Sequence, residues 1–166
     1  MYIPTKYGRI LYVSKEGNNS SAEVGNISRP YEDPWAAADA ASNGDTIYVF
    51  PGTWTIGAVG DGADLELSAT PLVSELSLME GKTDLHVHFE NGSRIQVLST
   101  APNAWSEQIG IFHDGGSSKT MRVTGELIYE CDAWVPLVFQ EVNTSNIELE
   151  IKGLEGTAAV PPINLE

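Results

Sequence analysis

Residues 33–54 read DPWAAADAASNGDTIYVFPGTW, and this stretch holds one complete helix signal followed by one complete strand signal. Asp33 is placed to cap the backbone N–H groups of a first turn. Pro34 suits the N1 position, where no amide bond is lost, and the alanine-rich run to Ala41 favours helix. Gly44 ends that pattern. Ile47 to Phe50 are branched or aromatic and stop at Pro51-Gly52, so the period changes from helical to extended within a few residues. A short helix over Pro34 to Ala41 therefore delivers the chain into a strand.

Upstream, Arg9 to Ser14 reads as a strand and Lys15 to Ser28 as a polar surface loop. Downstream, three segments superpose: Thr83 to Phe89, Lys119 to Gly125 and Ser145 to Ile151. Each places a polar pair before alternating residues. Leu85, Val87 and Phe89, then Met121 and Val123, then Ile147, Leu149 and Ile151 take one face, and the residues between them take the other. Second strands are expected after turns at Asn91-Gly92 (Ile95 to Leu98), at Gly125-Glu126 (Leu127 to Glu130) and at Lys152-Gly153 (Leu154). Third strands are expected at Ile109 to Phe112 and Val135 to Val142. Leu65 to Ser68 and Leu72 to Met79 alternate as strands do, Gly57 to Asp64 reads as a glycine-rich loop, and Ser99 to Gln108 is an insertion. An antiparallel sandwich is the competing fold, because Asn91-Gly92 is also a hairpin signal.

The order YVSKEGNNSS at 12–21 and NISRPYEDPWAAADAASNGDTIYVFPGTW at 26–54 resembles the opening of right-handed parallel β-helix proteins of the pectin-lyase-like superfamily. The matching positions are Tyr12-Val13-Ser14, Gly17, Pro30, Ala36 to Ala41, Gly44 to Ile47 and Pro51 to Trp54. The resemblance implies an all-β chain, a β-solenoid of about four coils with a short N-terminal capping helix. On that reading residues 1–9 form an arm and 10–166 a single β-helix domain, with the cap at 10–44 and the coils at 45–166. The superfamily spans polysaccharide lyases, glycosidases, tailspikes and non-catalytic fibre segments, so it fixes fold rather than function.

Composition narrows the partners. The 166 residues suit one domain that buries about 70% of its unfolded surface. Nine basic against 23 acidic residues give a formal charge of −14, which repels phosphate backbones and anionic membranes and reads first as a solvated exterior. Neither a secretory leader nor a membrane span is expected from the N-terminal pattern or the hydropathy. Cys131, the single cysteine, is expected to be a small buried hydrophobe, and no cofactor is expected.

Candidate sites follow from chemistry. His86 and His88 fall on one outward side of a strand about 7 Å apart, a spacing at which two imidazoles share a metal. The aligned Arg122 would oppose a cation there, so an exposed polar ladder with Thr124, Glu148 and Glu150 is expected rather than a metal site. Glu126, Glu130 and Asp132 are the catalytic candidates, since glycoside cleavage needs two carboxylates about 5 to 9 Å apart. Asp61 and Asp64 are two oxygen ligands where calcium needs about six to eight, so a turn role is expected. Trp105 is the candidate carbohydrate-binding residue, while Trp54 is expected to seal the first coil and Trp35 the underside of the cap helix.

The function expected is that of a phage virion structural protein, a tail- or head-fibre or tailspike segment touching host surface glycans. It would stand as a homotrimer joined to other virion proteins through Met1 to Gly8. Outward Tyr48, Phe50 and Tyr129, wet in a lone chain, are the sequence's own reason for association. The alternatives are a secreted polysaccharide lyase or glycoside hydrolase, and a carbohydrate-binding adhesin module.

Overall fold

The structure is a computed structural model that describes residues 8–70, 73–79, 81–82, 84–102, 111–113, 120–131, 138–140, 146–152 and 163–165. Trp105, Asp132, Trp134, most of the N-terminal arm and the strand expected at Leu154 lie outside those residues.

Asp33 has extended backbone and its carboxylate accepts from the Ala36 N–H, so helix α1 (Pro34–Ala40) starts where the cap chemistry demands. Strand β1 (Ile10–Val13) precedes it and β2 (Thr46–Val49) follows. The two strands pair in parallel, Leu11 opposite Ile47 and Val13 opposite Val49. Next come β3 (Gly52–Ala58), β4 (Leu65–Leu67), the single helical turn α2 (Val73–Leu76) and the long strand β5 (Asp84–Val97). After these stand β6 (Phe112–His113), β7 (Thr120–Cys131), β8 (Val138–Gln140), β9 (Asn146–Lys152) and β10 (Ile163–Leu165).

Every strand pairing among the described residues is parallel, so the antiparallel sandwich does not occur. The first half of β5 lies beside β2 and its second half beside β3, while β7 flanks β5 on the other side and β9 flanks β7. The three segments superposed by sequence are rung mates: Asp84 faces Thr120 and Thr120 faces Asn146. A separate three-stranded sheet stacks β6, β8 and β10. The chain is thus all-β, with mainly parallel pairing and, among the described residues, one multi-turn helix.

Alternation puts apolar residues between these sheets. Leu11, Ile47, Val87 and Val123 form one inward stack of rung mates, and Trp54, Ile95 and Tyr129 another, each of them fully buried. Phe89 meets Phe112 edge to face at 6.1 Å, joining the large sheet to the small one across the core. Trp54 donates its indole N–H to Glu32 O at 2.9 Å and Trp35 donates to Leu76 O at 3.0 Å, so both buried indoles keep a partner.

Four expectations are corrected. Residues 73–76 form a helical turn rather than a strand, which lets Leu76, Leu78 and Met79 all reach the core; alternation would have turned one of the adjacent pair Leu78 and Met79 away. The loop expected from Gly57 begins after Ala58, because Gly57 and Ala58 pair with Glu66 and Leu67. At Asn91-Gly92 and Gly125-Glu126 the strands bend without breaking, with a register shift between Phe89 and Ser93. Tyr129 points inward with Ile95, and Tyr48, though outward, is buried by its neighbours, so neither is wet in a single chain.

The bend at Gly125 allows no side chain. Its φ is 101°, and a Cβ would stand 1.9 Å from Phe89 O on the neighbouring rung. Gly60 has a similar φ of 96° with nothing within 4 Å. Gly125→Ala should therefore lower stability by more than about 2 kcal/mol, and Gly60→Ala by only about 1 kcal/mol, in urea unfolding followed by circular dichroism. Equal losses would place the strain in φ alone and contradict the close contact.

Candidate functional site

Because alternation sends Val87 inward, His86 and His88 project together from the outward face of β5. The register sets His86 beside Arg122 and His88 beside Thr124 on β7, and beside Thr46 and Tyr48 on β2. His86 Nε2 lies 2.7 Å and His88 Nδ1 2.8 Å from the same oxygen, Thr124 Oγ1. A hydroxyl carries one proton. It can donate to only one imidazole, so at least one of the two ring nitrogens carries a proton and donates to Thr124 Oγ1.

An aromatic group flanks this node. Tyr48 stands 5.0 Å from the His88 ring and 5.1 Å from Phe50, and Phe50 stacks on Tyr12 at 6.1 Å. The aromatic contact explains why Tyr48 is buried on a face that alternation points to solvent. Burial pushes the Tyr48 hydroxyl above its ordinary value, and the charge and hydrogen bond of Glu90 add to it.

Electrostatics keep the histidines neutral. Burial is the largest cause pulling His86 down to about 4, followed by the charges of Arg122 and His88. Burial also lowers His88, with Glu90 pulling the other way. The repulsion between His86 and Arg122 is the obstacle that a cation would meet, and among the described residues no three His, Cys, Asp or Glu side chains come together as a metal-binding group. The arrangement serves as a hydrogen-bonded seam between β5 and β7.

Two of the three carboxylate candidates, Glu126 and Glu130, fall in the second half of β7. They lie four residues apart, so with the bend at Gly125-Glu126 their Cα atoms stand at most about 13 Å apart. Glu130 forms an ion pair with Arg94 of β5. Asp132 and Trp105 lie outside the described residues, and the Cys131 side chain is likewise not described.

Both loop aspartates hold backbone. Asp61 accepts from the Ala58 N–H at 3.0 Å and from the Thr100 hydroxyl. Asp64 accepts from the Thr55 N–H at 2.7 Å and pairs with Lys15, whose ammonium lies 6.0 Å from the centre of the Trp54 ring. Glu66 receives the N–H groups of Gly60 and Gly62 at 3.1 and 2.8 Å, a role that the glycine-rich sequence allowed but did not name. Thr124 as the bridge between two histidines was equally unmarked, since its role depends on which rung it occupies.

Compared with known protein families, with curated proteins and with solved structures, the chain matches none. Among the described residues, no helix is long and apolar enough to cross a membrane.

The depressed histidine has a pH consequence with a definite sign. The unfolded imidazole takes up its proton near 6.5, whereas folded His86 does so only near 4, so the unfolded state binds more protons between those values. The stabilising contribution is complete above pH 6.5 and is lost as pH falls toward 4. His86→Asn should flatten the stability profile across that window by up to roughly 2 kcal/mol, solvent screening of a half-buried ring reducing the effect. Unchanged slopes in urea titrations at several pH values would show that His86 is not the group responsible.

Proposed function

We propose that the chain is a right-handed parallel β-helix that serves as a virion structural segment, part of a phage tail fibre, head fibre or tailspike, rather than an enzyme. The observation that carries this reading is the unbroken rung order β1, β2, β5, β7, β9. Residues 10, 46, 86, 122 and 148 mark its steps, with His86 facing Thr46 and Arg122 facing both His86 and Glu148. A chain that returns to the same lateral position every few tens of residues advances by one strand spacing, about 4.8 Å, per circuit. Parallel connections returning to one sheet are right-handed in nearly all proteins, which sets the hand of the coil.

Three strand legs per circuit fit the pairing. β2 and β3 lie along the two halves of β5, and those two halves lie along the two halves of β7. β6 and β8 supply the third leg. Helix α1 packs beside β1 and β2, at the end of the stack where the resemblance to pectin-lyase-like proteins places a cap.

A column of this kind transmits position and load without moving parts, which suits a spike or fibre. The homotrimer, and attachment through Met1 to Gly8, are proposed from the resemblance to tailspikes and fibres. Burial of Tyr48 and Tyr129 within one chain removes the argument from wet aromatics at those two positions. Glu130 held by Arg94 accords with a structural use of the carboxylate that would otherwise be the first catalytic candidate.

Light scattering of the purified chain, together with assays of depolymerisation on bacterial capsular polysaccharide and on pectin, tests the proposal. The expected results are a trimer and no turnover, with Glu130→Gln behaving as the parent. Turnover abolished by Glu130→Gln would establish the enzyme reading. A monomer with saturable glycan binding that depends on Trp105 would establish an adhesin module.

A further inference from the structure

The chain contains two Asn–Gly pairs, Asn43-Gly44 and Asn91-Gly92. In such a pair the glycine nitrogen reaches the preceding side-chain carbonyl with least obstruction, because no Cβ stands in its way. The reaction also needs that nitrogen to be released from hydrogen bonding and the local backbone to swing.

The fold treats the two pairs differently. The Gly44 N–H donates to Asp84 O at 2.7 Å, locking the junction where the chain enters β2. The next residue, Asp45, is buried and fastened by Arg9 N–H at 2.9 Å and Ser42 N–H at 2.8 Å. Asn43 thus precedes a nitrogen already in use and a backbone that is tied on both sides.

Asn91 and Gly92 are exposed and sit at the bend of β5. Residues 84–89 pair with 120–125 and residues 93–97 with 127–131, so Glu90, Asn91 and Gly92 fall between two paired runs, where the register shifts. Gly92 has φ of 98°, and around a Cβ built there only Pro51 side-chain atoms approach within 4 Å. A third pair of related chemistry, Asp61-Gly62, is restrained like the first, since the Gly62 N–H donates to Glu66 Oε1 at 2.8 Å.

We propose that Asn91 is a site of spontaneous backbone-assisted deamidation in the folded protein, while Asn43 is protected. The Gly92 nitrogen gives up its proton to water and bonds to Asn91 Cγ. The Cγ–N bond of the side-chain amide breaks, ammonia leaves, and a cyclic imide closes. Water then opens the imide at either carbonyl, yielding aspartate or isoaspartate, with no oxidant or reductant involved. The product carries one more negative charge than the original −14, next to Glu90 and its hydrogen bond to the Tyr48 hydroxyl. The isoaspartyl form also adds one methylene to the main chain, at a bend whose pairing is already interrupted.

The test incubates the full chain in mildly alkaline buffer at physiological temperature, in parallel as folded protein and in concentrated urea, and follows both asparagines by peptide mass mapping. In urea the two sites should react at rates within about twofold of each other, as expected once native protection is gone. In the folded chain Asn91 should react about tenfold or more faster than Asn43, which needs local opening first. An isoaspartyl carboxyl methyltransferase with labelled methyl donor should then label the folded, aged protein, and Asn91→Gln should remove that label. Equal folded-state rates, faster reaction at Asn43, or label that persists in Asn91→Gln would overturn the proposal.

Discussion

A strand in a parallel ladder satisfies its backbone only where another strand stands beside it in register, and this requirement organises the chain from its first described strand onward. Each of β2, β5 and β7 has a neighbour on both sides, so the question of unpaired groups moves to the end of the stack. At β1 the polypeptide supplies its own closure. Gly25 N–H donates to Ile10 O, Tyr31 N–H donates to Tyr12 O, and Ser14 N–H donates to Tyr31 O, so the loop after β1 folds back along its open edge. Gly25, which reads as part of a polar surface loop, and Tyr31 beyond that loop thereby act as a seal, which a strand edge requires if it is not to recruit other chains.

Register then dictates where bends are allowed. Successive strands can turn a corner together only if each bends at the same rung. Pro51, Gly92 and Gly125 lie along that corner, and a Cβ on Gly92 would touch the Pro51 side chain at 3.2 Å. Ser93, buried beside them, donates to Glu90 O at 2.7 Å and also lies 3.1 Å from Phe50 O, which ties one rung's corner to the next. At the other end of β2, burial raises the Asp45 carboxylate, but hydrogen bonds from Arg9 and Ser42 outweigh burial and hold it below its ordinary value. These polar anchors fix the lateral position of each circuit, and the apolar stacks between them supply most of the favourable burial.

What the sequence discloses follows from how local the cause is. The Asp33 cap, Pro34 and the alanines specify α1 without help from the rest of the chain, and the alternation in 85–89, 121–123 and 147–151 specifies both faces of three strands. Features that depend on a rung mate stay hidden. Thr124 is an ordinary outward residue until β7 sets it between two imidazoles, and Tyr129 is ordinary until Trp54 and Ile95 are stacked beneath it. The helical turn at 73–76 was obscured for a related reason: Leu76 and the following Leu78 answer to a core built by distant strands, and their spacing of two imitates alternation. The carboxylates were legible as a cluster in sequence, whereas the Arg94 partner of Glu130 depends on which rung lies beside β7.

Nuclear magnetic resonance contacts between backbone protons of β2, β5 and β7 report the direction and register of these strands. In-register parallel stacking predicts amide-to-α contacts linking Ile47 with Val87 and Val87 with Val123, repeated at every rung. Strong α-to-α contacts between residues 85–89 and 121–124, the mark of antiparallel pairing, would contradict it.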